Sequence, residues 1–243
     1  MSSLSPTEQL RSLTPARVGL GRTGAAIPTR ARLEFLSAHA SARDAVHTPL
    51  DSAALEEELR SLGVDKPVHV HSKAESRELY LMRPDLGRLP SALPSLDECS
   101  GQVGVVLADG LSPIAVAEHG PRMYAAIRRA LPSYDVATPV IAHQARVALG
   151  DHIGHAAAWD VTLVLIGERP GLSVPSSLGI YSTWRTRPET TDESRNCVSN
   201  IHPPEGMGYA EAANLVAFYV DQYFAQGRSG FMIKAAEQTP AVR

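Results

Sequence analysis

The chain has 243 residues, 44% of them hydrophobic and 20% charged, with a formal charge of -3. That length can bury a full core in one generous or two small domains, and the near-neutral balance offers no basic field to a nucleic-acid backbone. The longest apolar run, Val161 to Gly167, is too short to cross a bilayer, and the opening MSSLSPTEQLRS has no signal-peptide apolar stretch, so a soluble intracellular protein without a membrane partner is expected.

Residues 1–16 are polar and carry Pro6 and Pro15; they read as a flexible lead-in, or as a segment that orders against a partner. Residues 17–100 read as a small helical N-terminal module. Thr29 opens a helical pattern with Leu33, Leu36 and Ala40 on one stripe, limited by Pro49. A second helix starts from a Ser52 cap, points Leu55, Leu59 and Leu62 inward and stops at Gly63. PVHVHS is a short strand, and ELYLMRPDLGRLP a brief helix or turn.

From residue 101 the chain alternates apolar runs, polar-glycine turns and helical stretches, the grammar of βαβ units. VGVVLA leads to Ser112 and Pro113, an N-cap and first helical residue. A Gly120-Pro121 break separates that helix from RMYAAIRRAL. PVIAHQARVAL is a second strand, followed by a short helix from Asp151. DVTLVLIG has the continuous apolar character of a central parallel strand, and LGIYSTW is a fourth strand. A strong helix ends at Gly227, and SGFMI adds an edge strand. The expected fold is α/β, a largely parallel sheet flanked by helices, Rossmann- or flavodoxin-like, over residues 101–243 and behind the N-terminal module.

Ligands of open parallel sheets bind beyond the carboxyl ends of the strands. That rule singles out Asp109 and Ser112 after the first strand of the α/β region, Arg146 and Val147 near the end of another, and Glu168, Arg169 and Gly171 after the central one. The string GLGRTG, with Gly19, Gly21 and Gly24, matches the dinucleotide expression but has neither the strand before it nor the helix directly after it that the motif needs, so it reads as a loop. His69 and His71 share a strand face and make either half a metal site or a solvent-facing pair; no metal ligand set is assigned. DHIGH, Asp151 to His155, fits neither a zinc HExxH nor a cobalt-ligating histidine signature. Cys99 and Cys197 make no C-x-x-C pair. Cys197 is either a buried small hydrophobe or a nucleophile or contact residue. The residues alone reach a ligand-binding α/β protein and no reaction.

Read together, GRTGAAIPTRARLEFLSAHASARDAVHTPLD, LYLMRPDLGR, LADGLS, ARVALGDHIG, LIGERPGLSVPSSLGIY and RNCVSNIHPPEG resemble the small, or light, chain of ethanolamine ammonia-lyase. The match runs in order over most of the chain, and GERPGL with RNCVSNI is its most specific pair. The resemblance implies a hetero-oligomer with a large TIM-barrel subunit that deaminates ethanolamine to acetaldehyde and ammonia using adenosylcobalamin. It implies cofactor contacts at Val147, Glu168 and Cys197, no catalytic residue in this chain, and a place in the cytoplasm or a bacterial microcompartment. The alternatives are a free-standing nucleotide-binding oxidoreductase and a noncatalytic scaffold.

Overall fold

A computed structural model describes residues 5–14 and 16–234. The chain opens with a short exposed helix, α1 (Pro6–Ser12), whose Ser5 cap and Glu8 form a reciprocal capping box. The glycine-rich segment that follows is a loop with Gly19, Gly21 and Gly24 at positive φ, flanked by no strand. Next come α2 (Thr29–His47) and α3 (Ser52–Ser61). The α3 cap is Asp51, whose carboxylate accepts from the Ala54 amide, one residue before the Ser52 that the sequence suggested.

β1 (Val68–His71) and α4 (Arg77–Met82) precede the main βα units: β2 (Val103–Ala108), α5 (Pro113–Ala130), β3 (Val140–His143), α6 (Leu149–Ala156) and β4 (Val161–Gly167). β5 (Leu178–Trp184), β6 (Arg195–Ile201) and α7 (Tyr209–Gln226) complete the fold. The six strands form one sheet in the order β1-β3-β2-β4-β5-β6. β1, β3, β2 and β4 are mutually parallel, whereas β5 and β6 run antiparallel to their neighbours. The expected α/β class with a largely parallel sheet therefore holds.

The side chains of β2 alternate between two cores, which is why the strand reads as continuously apolar. Val103, Val105 and Leu107 pack with α3, α5 and α7 on one face. Val106 and Ala108 pack with Leu149 and Ile153 of α6 and with Trp159 on the other. The connections leaving β2 and β3 thus cross opposite faces of the sheet, and their loops part beyond the strand ends, the switch point where such sheets bind ligands.

Three further expectations need correction. α5 runs unbroken through Pro121, because the face carrying Val116, His119, Gly120, Met123 and Ile127 is buried and this packing outweighs the lost N–H. SGFMI is a turn and not an edge strand. Gly230 has φ 107, outside the extended region, and the segment is held through the Asn196 side chain, which accepts from the Gly230 amide at 2.8 Å and donates to the Ile233 carbonyl at 2.8 Å. The edge strand at that end of the sheet is β6, formed by RNCVSNI, and β1 is the edge at the other. Lastly, β3 stops at His143, because Gln144 adopts φ 51 and turns the chain, leaving Arg146 and Val147 in a loop.

Candidate functional site

A cavity of about 300 Å³ lies at the carboxyl ends of β2, β3 and β4, lined there by Leu111, Arg146, Val147 and Glu168, with Tyr80 of α4 and Tyr181 of β5 closing its sides. A neighbouring hollow of about 570 Å³ shares Arg146, Val147 and Tyr181 and extends over Thr190, Thr191 and Arg195. The two strand ends at the back are in backbone contact. The Leu111 amide donates to the Gly167 carbonyl at 2.9 Å, and a Cβ on Gly167 would run into the backbone of Ser112 and Asp109. Only glycine fits there.

The loop that carries Arg146 and Val147 is clasped from three sides. The Asp109 carboxylate accepts from the Gln144 amide at 2.7 Å and the Ala145 amide at 2.8 Å. Tyr80 donates its hydroxyl to the Ala145 carbonyl at 3.1 Å, and the Arg146 amide donates to the Gly87 carbonyl at 2.8 Å. Asp109 is almost fully buried, and that desolvation pushes its carboxyl up to about 6 against the opposing pull of those amides and of Arg77, 3.8 Å away. Arg77 in turn donates to the Gly110 carbonyl at 2.8 Å and the Val46 carbonyl at 2.7 Å, tying α4 and the end of α2 to the tip of β2.

Glu168 is fixed in place. Its Oε2 accepts from Ser177 Oγ at 2.6 Å and from the Asn200 amide at 3.3 Å, so one carboxylate links the end of β4 to β5 and β6. Gly179 leaves room for it, since a Cβ there would stand 2.8 Å from Glu168 Oε1. Cys197 sits directly across the ladder from Tyr181, and opposite residues of an antiparallel pair point to the same face. The residue is exposed, which overturns its reading as a buried hydrophobe. Desolvation of its sulfur raises the thiol above its ordinary value, a hydrogen bond with Tyr181 opposes the rise, and the Glu168 carboxylate adds to it. The thiol is therefore a neutral contact surface and not an activated nucleophile. Val147 and Glu168 line one cavity, and Cys197 adjoins it through Tyr181.

The other candidates lie elsewhere. His69 and His71 meet His143 across the β1–β3 ladder. His69 Nδ1 is hydrogen-bonded to His143 Nε2 at 2.8 Å, and the His71 ring stacks on His143 at 4.4 Å. His69 Nε2 faces Glu56 of α3 at 3.1 Å, so His69 is half-buried and paired instead of solvent-facing. Among the described residues, no group of three or more His, Cys, Asp or Glu is arranged to hold a metal ion. Within DHIGH, Asp151 makes a buried two-pronged ion pair with Arg195 at 2.6 and 2.7 Å, joining α6 to β6.

Sequence reasoning missed Tyr80, Tyr181 and the Asp151–Arg195 pair. An aromatic inside ELYLM or LGIYSTW has the periodicity of core, and a pair 44 residues apart leaves no local trace.

The family model described as ethanolamine ammonia-lyase light chain (EutC) matches residues 4–234. The chain is 50% identical over 234 residues to the ethanolamine ammonia-lyase small subunit of Rhodococcus erythropolis, an alignment covering 96% of this chain and 91% of that one. It is 46% identical over 246 residues to the protein of that name from Rhodopseudomonas palustris, covering 96% and 93%. For the one from Ralstonia nicotianae the identity is 42% over 246 residues, covering 97% and 90%. Matches of this extent leave no part of the described fold outside the likeness, and the chain belongs to the ethanolamine ammonia-lyase light chain family.

Proposed function

We propose that this chain is the cofactor-retaining small subunit of an adenosylcobalamin-dependent ethanolamine ammonia-lyase, which converts ethanolamine to acetaldehyde and ammonia only in complex with a large TIM-barrel subunit. The observation that carries the reading is the convergence of the β2, β3 and β4 ends, with Val147 and Glu168 on one cavity and Cys197 beside it. Pockets of roughly 300–1,000 Å³ enclose drug-sized ligands. A corrinoid is larger, so a cavity of about 300 Å³ gives it one wall and leaves the other to a partner chain. The donor set suits such a guest. Arg146 presents a buried Nε with no hydrogen-bond partner among the described residues, and the half-buried Tyr181 offers a flat apolar face.

When bound, the cofactor supplies the radical through its cobalt–carbon bond. This chain's residues orient and retain it. Glu168, already accepting from Ser177 and Asn200, holds a fixed carboxylate at the rim. Val147 and the neutral Cys197 give apolar contact, and no residue here touches substrate. Residues 17–100 meet the large subunit, residues 1–16 lead into that contact, and residues 101–243 carry the cofactor wall, completed by Tyr80. The hetero-oligomer works in the cytoplasm or a bacterial microcompartment. No helix among the described residues is long and apolar enough to cross a membrane.

The test is to purify the chain with and without the large subunit, measure adenosylcobalamin retention by equilibrium dialysis, and assay acetaldehyde from ethanolamine. Retention and turnover are expected from the complex and little or no turnover from the chain alone; strong activity of the lone chain contradicts the division of labour. Replacing Glu168 with tryptophan is expected to weaken retention more than folding. Equal loss of both makes the residue structural. A complex that turns over without this chain holding cofactor favours a scaffold role.

A further inference from the structure

The Arg146 side chain is built into the cavity wall with its hydrogen-bonding capacity unspent. Its guanidinium lies over the Tyr80 ring at 4.4 Å, and Arg77 covers the same ring at 4.8 Å. Gly87 is tight against this stack, since a Cβ there would come within 2.9 Å of the Tyr80 ring and 3.0 Å of the Arg146 side chain. The backbone on either side is clasped by Asp109, Tyr80 and Gly87, as described above. A side chain so held has already lost most of its rotamer freedom, so it binds a partner at a small entropic cost. Yet its Nε is buried without a hydrogen-bond partner among the described residues. An unpaired buried donor of this kind costs free energy unless something outside the described chain accepts from it.

The surrounding charge says what that acceptor is. The charged residues lining this cavity are Arg146, Arg169 and Glu168, and the Glu168 carboxylate is already occupied by Ser177 and Asn200, while Arg77 and Asp109 are buried behind the wall and offset each other. The excess is positive, and a planar guanidinium fork fits a two-oxygen anion best. Of the peripheral groups of a cobalamin, the phosphodiester of the nucleotide tail is the anionic one; the rest are neutral carboxamides. We propose that Arg146, pre-aligned by the Tyr80 stack, is a recognition residue for that phosphodiester. This rests on the reading that the complex binds a cobalamin.

The experiment compares adenosylcobalamin with adenosylcobinamide, which keeps the corrin and lacks the phosphodiester tail, using the intact complex and an absorbance titration. For wild type, both corrinoids should bind, the cobinamide more weakly. Arg146→Gln is expected to weaken adenosylcobalamin binding about tenfold or more while leaving adenosylcobinamide within about twofold, and Arg146→Lys, which keeps the charge and loses the fork, should fall between. Unchanged cobalamin affinity in Arg146→Gln overturns the assignment. Equal loss for both corrinoids also overturns it, placing Arg146 on the corrin or in the support of the cavity. If the wild-type complex binds neither corrinoid, the underlying cofactor reading fails first, an outcome distinguishable from the other two.

Discussion

α2 and α5 are nearly equal in length, and the chain treats them in opposite ways. Ten residues of the 18-residue α5 are buried, whereas Ala45 is the buried residue of the 19-residue α2. Leu33 is 61% exposed and Leu36 50%, although both belong to the stripe that the sequence marks as inward-facing. A helix earns its stability in water mainly by burying such a stripe. In α5 this chain supplies the cover itself, through β2, β4 and α7. In α2 the described residues leave the stripe uncovered, and in the proposed assembly the large subunit covers it. Amphipathic pattern specifies a buried face without specifying who buries it.

Four experiments sharpen or break that contrast. The largest effect is expected at the buried pair that locks the sheet domain: Asp151→Ala strips Arg195 of its buried partner, leaving it only the exposed Asp192 carboxylate, and should cost about 3–5 kcal/mol in urea unfolding. Leu163→Ala, in the fully buried centre of β4, should cost about 2–5 kcal/mol by the same measurement. Third is acid sensitivity. Burial, then the neighbouring His71 and His69, lowers His143 from 6.5 to about 4. The folded chain refuses a proton that the unfolded chain accepts, so the stability His143 contributes is complete above about 6.5 and is lost as pH falls toward about 4. His143→Asn should flatten that fall. Asp109, raised from 3.8 to about 6, titrates over much of the same window with the opposite sign, so the slope is read as variant minus wild type. The smallest effect on the free chain is expected from the double change Leu33→Ser and Leu36→Ser, within about 0.5 kcal/mol per site, with pull-down by the large subunit markedly reduced. If that variant unfolds like the Leu163 one, α2 is covered by its own chain and the contrast is wrong.

The parallel half of the sheet was legible because its signals are local. Val161 to Gly167 is buried on both faces and reads so, and Ser112 with Pro113 starts α5 as their chemistry requires. Position after a strand end was enough to single out Asp109, Arg146, Val147 and Glu168. The direction of β5 and the strand character of β6 were not legible in this way. β6 alternates buried and exposed residues imperfectly, with Ser199 and Asn200 both exposed, and it is specified by ladder pairing with β5 and by Arg195 reaching Asp151. Pro121 misled because propensity was weighed without the packing that overrides it. Tyr80 stayed hidden because, although Arg77 and Gly87 are near it in the chain, the Arg146 guanidinium and the Ala145 carbonyl that complete its surroundings come from a loop some 65 residues away. The site is thus half local grammar and half long-range closure, and only the resemblance to a family joined the two.

β1 carries one more implication. It comes from the N-terminal part of the chain yet pairs in parallel with β3, from Val68 opposite Val140 to His71 opposite His143. Cut the chain before residue 101 and β3 becomes a bare border, a row of unpaired amides and carbonyls flanked by Val140, Ile141 and Ala142. Uncapped borders of that kind invite other chains to add on. The C-terminal half, however complete its helices and strands look, is therefore expected to clump when produced by itself, and the four residues of β1 act as its guard rail.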